Sequence, residues 1–191
     1  MMDPTTFVLA VLALLATPGP TNTLLAASGA SVGVIRSLKL VPAEIGGYLT
    51  AITLLIAVIG PLVAAHAVIA VGLKLAASLW LICCALRLWR NVDEEIGRSE
   101  TSIRHVFITT LVNPKALIFA LVIFPQGTPI ETAPWLAGFS GLVVIVAIGW
   151  ICFGAALAHS IGRLATPRRI RRAAALGLTA FATVLAGAAI Y

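Results

Sequence analysis

Thr109-Thr110-Leu111-Val112-Asn113-Pro114-Lys115 lies in the middle of an otherwise apolar run over 106–124. About 20 such residues rise far enough as a helix to cross the roughly 30 Å of hydrocarbon in a bilayer. By counting, Lys115 stands at mid-depth, where a charge costs about 2.5–3.5 kcal/mol on insertion scales. Pro114 also removes a backbone donor and clashes with the carbonyl one turn back. A membrane span carrying both at its centre is expected to face a cavity or partner there, because lipid offers none; the alternative is a lysine that snorkels to a surface, a long reach from mid-span.

The rest of the chain fits the same solvent. Of 191 residues, 60% are hydrophobic and only 10% charged, against about 25% charged in soluble domains. This composition excludes a soluble fold, a disordered chain and a disulfide scaffold. Six apolar segments are long enough to span, at approximately 5–27, 42–65, 68–88, 106–124, 134–157 and 173–190. The expected fold class is therefore all-α and integral to the membrane. Residues 1–191 form a single transmembrane domain, with no alternating ten-residue segments of the barrel kind. The N-terminus reads Met1-Met2-Asp3-Pro4 and lacks the basic start of a secretory signal, so the first run is expected to be retained.

Charge sets the orientation. Every basic residue except Lys74 and Lys115 falls in or beside the links between spans 1 and 2, 3 and 4, or 5 and 6. The positive-inside rule puts those links in the cytoplasm and both termini outside. Trp89, Trp135 and Tyr191 fall at headgroup depth, while Trp80 and Trp150 lie deeper and are read as helix-packing residues. Lys74 is shallow enough to snorkel, and the mixed-charge run 87–105 reads as a solvated loop. The excess of basic residues thus reports topology, and no nucleic-acid partner is implied.

Span 1 is interrupted as span 4 is. Thr17-Pro18-Gly19-Pro20-Thr21-Asn22 puts two prolines around a glycine near its middle, which a continuous helix would not tolerate. Thr21, Asn22 and Thr23 stand beside the carbonyls this break would free. Spans 1 and 4 each open a half of three spans, and the halves enter from opposite sides. A proline break at the same place in each half points to an inverted-repeat transporter with its site where the breaks meet. This symmetry rests on layout, since no residue-by-residue repeat is evident. The two breaks are expected to face one another around an aqueous hollow at mid-depth.

Glu44 is the only acid within a span. It can bind a cation, exchange a proton or pair with Lys115. As the acid of a helix N-terminus wetted by cytoplasm it would also be favoured by the helix dipole. Cys83, Cys84 and Cys152 fall in apolar runs without a CxxC pair and read as buried, inert thiols. Small-residue pairs such as Gly29/Gly33 and Ala182/Ala186 arise easily by chance in a chain this rich in Gly and Ala. A homo-oligomer is compatible with the sequence but not specified by it.

Two motifs carry a family resemblance. Pro18-Gly19-Pro20-Thr21-Asn22, and Asn113-Pro114-Lys115-Ala116-Leu117 followed by Phe124-Pro125-Gln126, resemble the two signatures of the LysE/RhtB amino-acid exporters. The third span, with Leu73-Lys74-Leu75 and Arg87-Leu88-Trp89-Arg90, is similar too. It departs at Ala77 and Trp80, where members often carry a glycine and a tyrosine. The resemblance implies secondary export of amino acids or related small solutes from the bacterial cytoplasm across the inner membrane. Coupling would be to the proton gradient or by antiport, with no cofactor. On this reading Thr21, Asn22, Asn113 and Lys115 line the substrate path, Pro18, Gly19, Pro20 and Pro114 shape it, and Glu44 is a proton or substrate partner. A lysine or a half-helix N-terminus would meet a substrate carboxylate. No metal-ligand cluster, HExxH or GxSxG is present, so no enzyme is expected. The competing readings are an assembly factor and a thiol-disulfide carrier using Cys84 and Cys152.

Overall fold

The computed structural model describes residues 3–59, 67–90, 101–125 and 127–160, with isolated helical positions at 176, 179, 180, 182, 183, 186 and 187. Helix is the only regular structure among them. The sixth predicted span and the basic link at 163–172 fall largely outside the described residues.

Helix α1 (Pro4–Ala16) begins at an N-cap that its sequence spells out. The Asp3 carboxylate accepts from the Thr5 amide at 2.8 Å, the Thr6 amide and the Thr6 hydroxyl, while Pro4 occupies a position whose N–H would be unpaired anyway. The Thr6 hydroxyl, followed by the Thr5 amide, holds the Asp3 carboxyl below the usual carboxylate range. The helix stops where proline dictates. Thr17, preceding Pro18, is extended at φ −60°, ψ 130°, as steric contact with the proline ring requires. Gly19 is extended as well, and Pro20 starts α2 (Pro20–Val32). The two helices are bent by 63°.

Gly33 ends α2 with φ +80°, a left-handed conformation that costs little only at glycine. One residue thus replaces the expected link between spans 1 and 2. Arg36 lies in α3 (Val34–Ser37) and Lys39 in a 3-10 turn, Leu38–Leu40, both already helical. The chain returns as α4 (Val41–Leu54), which widens into a π-helical turn, Leu55–Ile59. Helix α5 (Ala67–Arg90) follows.

Helix α6 (Ile103–Leu111) is capped by Ser102, whose hydroxyl accepts from the His105 amide at 3.1 Å. Pro114 interrupts it, and the chain resumes at a 50° bend as α7 (Lys115–Ile118) and a second π-helical turn, Phe119–Ile123. It leaves helix at Phe124, the residue before Pro125. Helix α8 (Pro129–Ser160) opens on a reciprocal cap in which Thr128 donates to Glu131 at 2.8 Å through its amide and Glu131 returns its amide to the Thr128 hydroxyl. It starts several residues before the predicted 134.

Among the described residues two unbroken stretches are long and apolar enough to cross a membrane, Val34–Val58 and Ile130–His159, and each bent pair taken as one span supplies one more. The core divides at mid-height. Toward the Trp135 end it is built on Phe7, Val11, Phe119, Phe124, Phe139 and Val143. Toward the Gly33 end it consists of Leu25, Leu40, Val41, Val106, Ala147 and Ile151. The two proline breaks lie between these clusters.

The thiols differ from expectation. Cys83 and Cys152 are free and exposed on the outside of the bundle, because the apolar runs holding them turn those faces outward. The side chain of Cys84 lies outside the described residues, and so do those of Lys74 and Trp80.

Candidate functional site: two helix breaks joined by one polar network

The break in span 1 strands carbonyls at the end of α1, and side chains from both breaks answer them. Asn22, on the first turn of α2, folds back so that its Nδ2 donates to Leu15 O at 2.7 Å and to Thr17 O at 3.0 Å. Lys115 reaches the same two oxygens from the other half of the chain: its Nζ lies 3.4 Å from Leu15 O and also donates to Thr17 O. A carbonyl oxygen has two lone pairs, so each of these takes one proton from Asn22 and one from Lys115. The side chain passes directly over Gly19, where an added Cβ would stand 3.3 Å from Lys115 Cε.

A second set of bonds joins the breaks one layer away. Thr21 Oγ1 pairs with Thr110 Oγ1 at 3.1 Å and accepts from Asn113 Nδ2 at 3.2 Å. The same Nδ2 lies 3.4 Å from the Tyr48 hydroxyl. Asn113 Oδ1 accepts the Lys115 amide at 3.1 Å, which satisfies the start of the helix after Pro114. Thr110 also donates back to Val106 O at 2.8 Å. Lys115 is 2% exposed and Glu44 2%, and Thr21, Asn22, Tyr48, Thr110 and Asn113 are likewise buried.

The expected hollow between the breaks takes another form. The breaks do meet, but their own side chains fill the space and hydrogen-bond across it. The cavity beside them, about 510 Å³, flanks Asn113 and Pro114 and is walled by apolar side chains such as Ala51, Leu55, Ala76 and Leu117.

Glu44 does not fit the wetted helix-end reading. It sits in the first turn of α4, but that turn is packed among α2, α6 and α8, and the carboxylate is buried. Its Oε2 has no hydrogen-bond partner among the described residues. No ion pair joins it to Lys115, whose nitrogen is engaged by Leu15 and Thr17. Glu44 and Tyr48, one turn apart, share a face of α4 and extend the polar layer from Asn113. No three His, Cys, Asp or Glu side chains among the described residues are grouped to hold a metal.

Of the residues singled out in the sequence, Thr21, Asn22, Asn113 and Lys115 converge directly. Pro18, Gly19, Pro20 and Pro114 create the geometry that lets them, and Glu44 lies at the margin. Thr110 and Tyr48 were not anticipated. The available signal was helical spacing, since Thr110 precedes Asn113 by three residues and Tyr48 follows Glu44 by four.

The family description LysE type translocator matches residues 12–191, nearly the whole chain and both breaks. This chain belongs to the LysE type translocator family. It is a multi-pass membrane protein of a transporter family, so its buried polar layer is to be read for solute passage across a lipid barrier. No curated protein and no solved structure matches the chain.

Proposed function

We propose that this LysE-type translocator is a secondary transporter exporting amino acids or related small solutes across the bacterial cytoplasmic membrane, coupled to the proton gradient. On this reading residues 1–191 are one domain of six spans, arranged as two inverted halves with both termini outside. The Trp135 end then faces outward and the Gly33 end the cytoplasm. Thr21, Asn22, Asn113 and Lys115 line the path, Pro18, Gly19, Pro20 and Pro114 shape it, and Glu44 serves as proton or substrate partner.

The observation that carries this reading is the direct bonding of the two proline breaks through buried polar side chains. Polar groups at that depth are costly unless used, and discontinuous spans meeting at mid-depth are the usual site of alternating access. The half-helix starting at Pro20 offers amide donors to a substrate carboxylate, and the end of α1 offers carbonyls to an amine.

The test is efflux from proteoliposomes loaded with a panel of labelled amino acids, with and without an imposed pH gradient. Efflux of at least one amino acid, faster with the gradient, is expected. Efflux indistinguishable from that of protein-free vesicles for every solute would refute the assignment. Lys115→Met is expected to lower the rate by at least about tenfold, equivalent to losing about 1.4 kcal/mol of transition-state stabilisation. A wild-type rate in that variant would remove Lys115 from the path.

A further inference from the structure

Lys115 contributes an amine to a place where an amino-acid substrate would also need one bound. Its Nζ sits on Leu15 O and Thr17 O, the carbonyls freed where α1 ends. Those oxygens carry the negative end of the α1 dipole. Asn22 fills one lone pair on each and leaves the other to Lys115. The seat is therefore complete only with an N–H-bearing group at that point, and this chain supplies one on a flexible four-carbon stem.

Glu44 completes the observation from the other side. A buried carboxylate oxygen without a partner is expensive to keep, and among the described residues Glu44 Oε2 is such an atom. Glu44 stands one helical turn from Tyr48, whose hydroxyl lies 3.4 Å from Asn113 Nδ2, and Asn113 Oδ1 in turn accepts the Lys115 amide. The layer thus holds one amine on a flexible stem and two groups able to take it. One is occupied in this conformation, and the other, Glu44 Oε2, meets no donor among the described residues.

We propose that the Leu15 and Thr17 carbonyls are a seat for a primary ammonium, which Lys115 fills until a solute's own ammonium displaces it and Lys115 turns to Glu44. This rests on the transport reading above and narrows its substrate class to solutes bearing a primary amine. The exchange makes and breaks only hydrogen bonds and ion contacts. An empty transporter keeps its breaks locked together by Lys115, and a loaded one has that lock replaced by a ligand that can leave.

The seat can be tested without transport. Purified full-length Lys115→Ala is expected to melt below wild type. Ethylammonium chloride should restore much of the difference in a saturable way, since a ligand binding only the folded state raises its stability. Tetramethylammonium chloride, with the same charge but no N–H, should not. Equal responses to both salts, or to neither, would overturn the seat. Glu44→Gln, made in the otherwise native chain, is expected to bind ethylammonium about tenfold more weakly than wild type, or 1.4 kcal/mol, because displaced Lys115 loses its destination. Unchanged affinity would overturn the exchange, and this arm decides alone if Lys115→Ala does not fold. Ethylammonium rescue together with absence of amino-acid efflux would leave the seat standing and remove the proposed substrate instead.

Discussion

At the Gly33 end, α2 lies so close on α8 that a Cβ on Gly29 would overlap the Ile151 carbonyl and one on Gly154 would overlap the Ala26 carbonyl. Helix α4 approaches α6 in the same manner, with the Gly47 position 2.8 Å from Phe107 O once a Cβ is added. At the Trp135 end the corresponding space is filled by rings. Trp135 packs on Phe7 (4.8 Å between centroids), Phe7 on Phe124 (5.4 Å), Phe124 on Phe139 (5.5 Å), and Phe139 on Phe119 (4.8 Å) and Tyr48 (5.7 Å). Backbone packed on backbone has no rotamer to change, so opening that end means moving whole helices apart. An edge-to-face stack can yield one side chain at a time. The ring column ends on Tyr48, which itself touches Asn113. The polar layer is thus bounded by rigid packing on one side and adjustable packing on the other.

The largest effect should come from the rigid side. Gly154→Val forces backbone apart and is expected to exceed the usual overpacking cost of about 1–3 kcal/mol, so that little folded protein survives detergent extraction and size-exclusion chromatography. Recovery at wild-type yield would show that the two helices can separate cheaply. Next, Phe139→Ala removes the ring that contacts Phe119, Phe124 and Tyr48 and should cost about 3–5 kcal/mol, read as a lower midpoint in thermal unfolding. The same variant should let membrane-impermeant thiol reagents reach a cysteine placed at Tyr48. Labelling no faster than in a Phe139 background would mean that the column does not bar access from that end.

Gly47→Ala is expected to cost about 1–3 kcal/mol, less than the change at Gly154, because its Cβ would stand 2.7 Å from Thr110 Cβ and 2.8 Å from Phe107 O, against 1.9 Å from Ala26 O at Gly154. A cost equal to that at Gly154 would put α4 and α6 in the same rigid unit as α2 and α8. Smallest of all is the coupling between the breaks. A double-mutant cycle on Thr21→Val and Asn113→Ala should give about 0.5–2 kcal/mol, the range for hydrogen bonds between membrane helices. Additive effects would show that the bond across the layer is not made.

What could be read from the sequence was whatever acts locally. Proline in the middle of an apolar run removes a donor and clashes with the turn before it, so the breaks at 17–19 and 112–114 follow from Pro18, Pro20 and Pro114 alone, and Lys115 stands out as needing a partner. Which partner it found depends on how α1 and α7 pack, and nothing near Lys115 in the chain encodes the Leu15 and Thr17 carbonyls. Gly29 shows the same limit. It was set beside Gly33 as a chance pair, whereas Gly33 makes a left-handed turn and the true counterpart of Gly29 lies on α8, at Ile151 and Gly154. For Glu44 a wetted helix end and a partner role stay equally open in the sequence, because its distance along the chain from Pro42 is visible there and the helices covering it are not. The π-helical turns at Leu55–Ile59 and Phe119–Ile123 carry no proline or glycine to announce them.

Helix α8 runs unbroken for 32 residues, about 48 Å at 1.5 Å per residue, while the surrounding hydrocarbon is only about 30 Å deep. An ordinary lean of about 20° does not absorb that excess. At least one extremity of this rod, the longest among the described residues, must therefore project among the lipid phosphates or beyond. Because α2 is packed backbone to backbone on this rod, the depth at which lipid holds the rod also sets the depth of α2.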